Sequence, residues 1–385
     1  MRLVIAGGGT GGHLFPGLAL AEELLARGGD HHVLFIGARG GLEERIVPLH
    51  GYKLELLPST KGGFLNFGGP SKAWQSCKGY FQARRAILNF QADAVIGLGG
   101  YASALPAMAA WGVEIPSMIL EQNVIPGRTN RSVARFVNEI GVQFSESARY
   151  FANARIVKQV GNPLRKKVVL AGRAATARNT MANPAPRDEP TVLVVGGSQG
   201  ARAVNDLALK AWPKLKQTVP NVKMILVSGR ADEQRAVEAF AAAGVRGQVV
   251  AFTEAMEDLY ADADVVLARA GATSLAEIAA FALPSVLVPY PFAADDHQTE
   301  NAKAFSSRGA GWMMMQKNIE ADRVAQRLAD AILQPERRRK MAMAASALAA
   351  PNAAADVIDR LIALSKSDAQ TPQQRNMPRI DAAVA

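Results

Sequence analysis

Residues able to do chemistry gather where short apolar runs give way to glycine. Val4-Ile5-Ala6 is followed by Gly7-Gly8-Gly9-Thr10-Gly11-Gly12-His13, with glycine at five of the six positions 7–12. Glycine lets a backbone approach an anion closely, and the free N–H groups of a following helix point at it. The loop therefore predicts an anion site around Thr10, Gly11 and Gly12. Gly7, Gly9 and Gly12 also satisfy the G-x-G-x-x-G spacing of dinucleotide folds, but there an acidic ribose partner should end the second strand. Here that strand ends Phe35-Ile36-Gly37-Ala38-Arg39. A nicotinamide cofactor is disfavoured, and only a 2′-phosphate on Arg39 would suit. His13 closes the loop at a helix start. Histidine is the side chain best suited to take a proton near neutral pH; a simple hydrogen bond to nearby backbone explains the position equally well. His31, His32 and His50 read as surface or strand-edge residues.

The same physics recurs in the second half. Val192–Val195 leads into Gly196-Gly197-Ser198-Gln199-Gly200-Ala201, where Ser198 can donate to a phosphate oxygen. A third turn reads Arg269-Ala270-Gly271-Ala272-Thr273-Ser274-Leu275-Ala276-Glu277. Taken alone, Thr273 or Ser274 followed by Glu277 favours a helix cap; the functional alternative is a carboxylate accepting two ribose hydroxyl protons. Pro289–Asn301 is an extended loop delivering polar residues to a helix start. Gln298 and Asn301, one turn apart, could hold sugar hydroxyls. Asp295, Asp296 and His297 lack a third spaced ligand and do not predict a metal site. Glu121 and Asn123 follow a strand in the first half and flank the same cleft as His13. Arg165 could reach a phosphate bidentately or tie two domains together.

Stepping from these turns to the elements that hold them, short β-rich runs alternate with helical patterns. Strands are predicted at 3–6, 32–36, 53–57, 94–98, 117–120 and 139–144. A second set is predicted at 191–195, 223–227, 248–252, 264–267, 284–288 and 311–315. Helices are predicted between most of them, among them 17–26, 71–89 and 273–281. This alternation implies βαβ units and parallel sheets. The fold class is α/β, with two Rossmann-like doubly wound domains. Ligands bind beyond the carboxyl ends of such strands, so two facing sheets make one cleft. The expected division is a domain over 1–165, a linker over 166–189, a domain over 190–350, a helix over 351–365 and a disordered tail over 366–385.

The chain has 385 residues, one cysteine (Cys77) and a net charge of +10. A disulfide framework and a Cys-based metal cage are excluded. Neither a signal h-region nor an apolar run long enough to span a bilayer is present. The charge is one-sided. Residues 1–165 carry 17 basic and 11 acidic residues, whereas residues 190–365 carry 19 of each. Between Lys53 and Arg85, six basic residues face only Glu55, interleaved with Phe64, Leu65, Phe67, Trp74, Tyr80 and Phe81. Without a nucleic-acid-binding signature, this matches an anionic bilayer surface. Neutralising Lys61, Lys72 and Lys78 is expected to weaken vesicle binding.

Taken together and in order, these motifs resemble the MurG family, the UDP-N-acetylglucosamine:undecaprenyl-pyrophosphoryl-muramyl-pentapeptide N-acetylglucosaminyltransferases of bacterial cell-wall synthesis. The resemblance spans about residues 1–365. It rests on Gly8–His13, Gly99-Gly100-Tyr101, Glu121-Gln122-Asn123, Gly161-Asn162-Pro163, Gly196–Ala201, Arg269–Glu277 and Asp296-His297-Gln298. It implies the two-domain GT-B fold, with the UDP-sugar on the C-terminal domain and the membrane and lipid acceptor on the N-terminal one. It implies an inverting transfer to the 4-hydroxyl of the lipid-linked muramyl-pentapeptide.

Carried over, Ser198, Gln199 and Gly200 would hold the UDP phosphates. Gly271, Ala272, Thr273, Ser274 and Glu277, with Thr253 and Arg269, would line the nucleotide site, Glu277 on the ribose. Gln298 and Asn123 would contact the sugar, with Asn301 kept among the substrate-binding residues for its spacing to Gln298, and Thr10, Gly11, Gly12 and Arg165 would complete the donor site. His13 becomes the favoured base, with Glu121 the other candidate. No metal or cofactor is implied. The implied location is peripheral, on the cytoplasmic side of the bacterial membrane, among other cell-wall synthesis proteins. Two departures stand out: Leu120 replaces a histidine common before Glu-Gln-Asn, and Ala102-Ser103-Ala104-Leu105-Pro106 replaces Val-Ser-Gly-Pro. The alternatives are another GT-B enzyme, such as a glycolipid synthase or a UDP-N-acetylglucosamine 2-epimerase, and a non-catalytic nucleotide-sugar-binding scaffold.

Overall fold

The computed structural model describes residues 1–58, 70–181, 187–197 and 200–369. The chain builds two parallel sheets. The first holds β1 (Arg2–Ala6), β2 (His32–Ala38), β3 (Lys53–Leu57), β4 (Ala94–Gly97), β5 (Ser117–Glu121), β6 (Glu139–Val142) and β7 (Val157–Gln159), in the order β3-β2-β1-β4-β5-β6-β7. The second holds β8 (Thr191–Val195), β9 (Lys223–Val227), β10 (Gly247–Val250), β11 (Val265–Ala268), β12 (Ser285–Leu287) and β13 (Gly311–Met313), in the order β10-β9-β8-β11-β12-β13. Both are doubly wound, and strand order reverses beside β1 and beside β8. Crevices for ligands open at such points.

The strand sequences explain the layers. β1 is apolar without alternation because helices cover both faces of a parallel sheet. Leu3 and Ile5 pack on one side with Leu14 and Leu18, while Val4 and Ala6 pack on the other with Ala83, Ile87 and Leu105. The last helix, Ala353–Ala369, returns to the first sheet. Its Val357, Ile358 and Leu361 are fully buried beside Leu3 and Ile5. Among the described residues no helix is long and apolar enough to cross a membrane.

Three expectations need correction. The stretch 166–189 is not simply a linker, because Lys166–Thr180 is a helix. Its buried stripe is Val168, Gly172 and Ala175, at the i, i+4, i+7 spacing of one helix face. The stripe escapes a search for large apolar residues because small ones are needed: a Cβ on Gly172 would stand 2.5 Å from the Ala280 carbonyl oxygen. The tail expected to begin at 366 is helical through Ala369; residues 370–385 lie outside the described residues. The first helix begins at Gly11, not Gly17, and carries Pro16 inside it. Proline reads as a boundary in sequence, yet near a helix start it is tolerated.

Candidate active site

One cavity of about 1010 Å³ opens between the carboxyl ends of the two sheets. His13, Thr10, Gly11 and Gly12 reach it from the turn after β1. Glu121 and Asn123 reach it from the end of β5. From the second sheet come Gly200, Thr253, Arg269, Gly271, Ala272, Thr273, Ser274, Glu277 and Gln298. Ser198 and Gln199 lie outside the described residues.

His13 is half-buried in the first turn of the helix Gly11–Ala26. Gly99 and Gly100, with φ of 100° and 75°, pass directly beneath its ring. A Cβ on Gly99 would stand 3.0 Å from His13 Nε2, so only glycine leaves the ring room. Thr10 Oγ1 lies 3.4 Å from Nδ1. Burial holds the ring below the ordinary histidine range; the Gly8 carbonyl and Glu43 oppose this, and His297 adds to the lowering. A ring neutral at pH 7 is free to accept a proton.

Glu121 is built differently. Its Oε1 accepts from the Asn123 N–H at 2.9 Å and Asn123 Nδ2 at 3.1 Å. Its Oε2 accepts from the Gly127 N–H at 3.0 Å and Asn130 Nδ2 at 2.9 Å. Burial pushes the carboxyl up against the pull of these four donors. With both oxygens occupied, Glu121 anchors the loop 122–130 and has no free lone pair aimed at a reacting hydroxyl.

Glu277 is no helix cap. The helix Ala272–Ala280 begins at Gly271 without a side-chain cap. The Tyr260 hydroxyl donates to Glu277 Oε2 at 3.1 Å, and burial pushes the carboxyl up to about 7. A capping role would have required a backbone N–H partner at the helix start.

Several residues around the cavity were missed. Glu43, fully buried behind the first glycine loop, accepts from the Gly9 N–H at 2.7 Å. Its signal, a glutamate just past the strand β2, is indistinguishable from an ordinary helix-start acid. Arg128 and Arg131 reach Asp295 across the cavity mouth at 3.2 and 3.1 Å. Asp295 and Asp296 have φ of 51° and 53°, a strained backbone for non-glycine residues. Nothing in the sequence pairs residues more than 160 positions apart.

Models of glycosyltransferase family 28 match most of the chain: the N-terminal domain over residues 3–142 and the C-terminal domain over residues 191–361. The UDP-N-acetylglucosamine--N-acetylmuramyl-(pentapeptide) pyrophosphoryl-undecaprenol N-acetylglucosamine transferase of Geobacter sulfurreducens is 39% identical, covering 96% of this chain and 100% of that protein. The crystal structure of Acinetobacter baumannii MurG superposes with a TM-score of 0.73 at 28% identity, covering 94% of this chain and 99% of that one. The chain belongs to the MurG family. A UDP-GlcNAc 2-epimerase from Neisseria meningitidis, bound to UDP-GlcNAc, shares the fold alone, with a TM-score of 0.65 at 13% identity over 94% of this chain and 100% of that one.

Two residues expected to bind the substrate, Arg165 from the MurG resemblance and Asn301 from its spacing, turn away from the cavity. Arg165 is buried, donates to the Glu254 carbonyl, pairs with Glu257 at 3.7 Å and lies over the Phe15 ring. It ties the two domains together. Asn301 is fully buried. Its Oδ1 accepts from the Val124 N–H, and its Nδ2 donates to Asn123 Oδ1 and the Ala270 carbonyl. No polar group of Asn301 is left for a sugar, because the domain interface takes them all. Gln298 stays at the cavity, with its Oε1 accepting from the Tyr290 N–H. Arg269 pins the loop after β12 through the Val288 and Pro289 carbonyls and Gln316, leaving its buried Nε without a partner.

Proposed function

We propose that this MurG-family chain transfers N-acetylglucosamine from UDP-N-acetylglucosamine to the 4-hydroxyl of undecaprenyl-pyrophosphoryl-N-acetylmuramyl-pentapeptide, with inversion at the anomeric carbon. One observation carries the reading: His13, whose protonation burial disfavours, and Glu277 line the same cavity between the carboxyl ends of the two sheets. In the transfer, the acceptor oxygen bonds to the anomeric carbon as the bond to the UDP oxygen breaks. The acceptor proton passes to His13, and the diphosphate leaves. General-base assistance of this kind contributes about 10²–10⁴-fold.

On the donor side, the carboxylate of Glu277 accepts from the ribose hydroxyls, Gly196, Gly197, Gly200 and Ala201 line the side given to the diphosphate, and Gln298 and Asn123 face the sugar. Helix N-termini stabilise the charge developing on the leaving group. The domain over 1–165 takes the lipid-linked acceptor at the cytoplasmic face of the membrane. Support comes from the helix Pro70–Phe90, where Trp74, Lys78, Phe81, Arg85 and Leu88 form one exposed stripe at helical spacing. Trp74 is 71% and Phe81 60% exposed, and aromatic side chains interleaved with cations suit an anionic bilayer surface. Of the lysines singled out in sequence, Lys61 lies outside the described residues, as do Phe64, Leu65 and Phe67.

A transfer assay with a lipid-linked muramyl-peptide pyrophosphate tests the reading. Acceptor-dependent UDP release with UDP-N-acetylglucosamine, and little with UDP-N-acetylgalactosamine, is expected. Conversion of UDP-N-acetylglucosamine without acceptor would instead identify an epimerase.

A further inference from the structure

Glu43, in the first turn of the helix Glu43–Leu49, is a fully buried carboxylate. It sits in a nest of glycines: a Cβ on Gly8, Gly37 or Gly41 would come within 2.2, 2.4 or 2.3 Å of its side chain. Its Oε2 accepts from the Gly9 N–H at 2.7 Å and its Oε1 from the Ala38 N–H at 2.9 Å. No ion pair among the described residues includes it, so its charge has no cationic partner. The Gly9 N–H belongs to the same peptide group as the Gly8 carbonyl. That carbonyl lies on the His13 side and favours a proton on the ring, as Glu43 does through space. The carboxylate, the peptide and the imidazole therefore stand in series. The other groups facing the ring are Thr10, the Gly99–Gly100 backbone and His297.

We propose that Glu43 is a positioning residue for the transfer step: it clamps the Gly8–Gly9 peptide from behind, orients the His13 ring through it, and stabilises the imidazolium formed when His13 takes the acceptor's proton. An uncompensated carboxylate interacts more strongly with that cation than with the neutral ring. The interaction thus grows toward the transition state, which is what accelerates a reaction. The inference rests on His13 as the base.

Glu43→Gln removes the charge at nearly constant shape. Its kcat is expected to fall about 10- to 100-fold, by analogy with the loss of a partner that orients a metal-bound histidine. KM for UDP-N-acetylglucosamine should stay within about twofold. The acid limb of the kcat/KM profile should move to lower pH. Combined with His13→Ala, the substitution should cost nothing further. An unchanged kcat, an unmoved acid limb or an additive double variant overturns the proposal. If Glu43→Gln does not fold, Glu43→Asp decides: the shortened side chain cannot hold both the Gly9 and Ala38 N–H groups, so kcat should fall at unchanged KM, and kinetics equal to those of the unaltered protein overturn the proposal. Loss of transfer in the unaltered protein would sink the functional reading itself, so the two failures are distinguishable.

Discussion

The Thr273 hydroxyl donates to the Gly12 carbonyl across the interdomain cleft, at 3.1 Å. That carbonyl is available because residue 16, whose N–H would close the helical bond to it, is proline. A helix defect in one domain is therefore filled from the other. Thr273→Val should destabilise the protein by about 0.5–1.5 kcal/mol, the net worth of one hydrogen bond between half-buried groups at the cavity wall. Pro16→Ala restores an intrahelical donor, so the double variant should lose less than Thr273→Val alone. Thermal unfolding of the three proteins measures the coupling, and strictly additive losses would contradict it.

His13→Ala should lower kcat by about 10²–10⁴-fold while leaving UDP-N-acetylglucosamine affinity largely intact. Because burial lowers the ring from 6.5, the unprotonated base persists to lower pH than usual. Activity should hold down through 6.5 and fall only beneath it. Steady-state kinetics over pH reads both effects; near-normal turnover in the variant would remove His13 from the role.

Glu277 titrates near 7 in the protein without ligand. Accepting two ribose protons requires the carboxylate, so UDP affinity should strengthen as pH rises through about 7 and level off above it. Calorimetry in buffers of different ionisation enthalpy should detect proton release on binding. For folding the sign is opposite. A carboxyl raised from 4.5 to about 7 binds more protons folded than unfolded in that window, so its contribution to stability declines as pH rises across it. Glu277→Gln should flatten both dependences.

The exposed stripe on the helix Pro70–Phe90 makes a separate prediction. Lys78→Gln with Arg85→Gln should weaken binding to anionic vesicles by about 1 kcal/mol per charge at low salt. Trp74→Ser with Phe81→Ser should weaken it at any salt. Neither pair should alter UDP binding. Vesicle sedimentation gives the answer, and unchanged retention of both double variants would remove this face from the membrane.

Much of this protein is legible in its sequence because parallel sheets write themselves plainly. Strands buried on both faces become unbroken apolar runs, as at Thr191–Val195 and Lys223–Val227, and the turns at their carboxyl ends collect glycine. Those local signals placed His13, Glu277 and Gln298 on the turns and helices that follow strands, and doubly wound topology carries strand ends to a common crevice. The helix Lys166–Thr180 was obscured because close packing there requires glycine and alanine, which carry little apolar signal.

Only the tertiary structure could decide which polar groups remain free. Asn301 and Arg165 have the same side chains whether they meet a ligand or a neighbouring domain. Their partners Asn123, Val124, Glu254 and Glu257 are distant in sequence, so burial and pairing settle what residue type leaves open. The same holds for Glu43 and Glu277, two glutamates near helix starts. One became the internal anion of a glycine loop and the other a carboxyl raised by burial. A side chain's chemistry is set by its residue type, but its availability and charge are set by the groups folded around it.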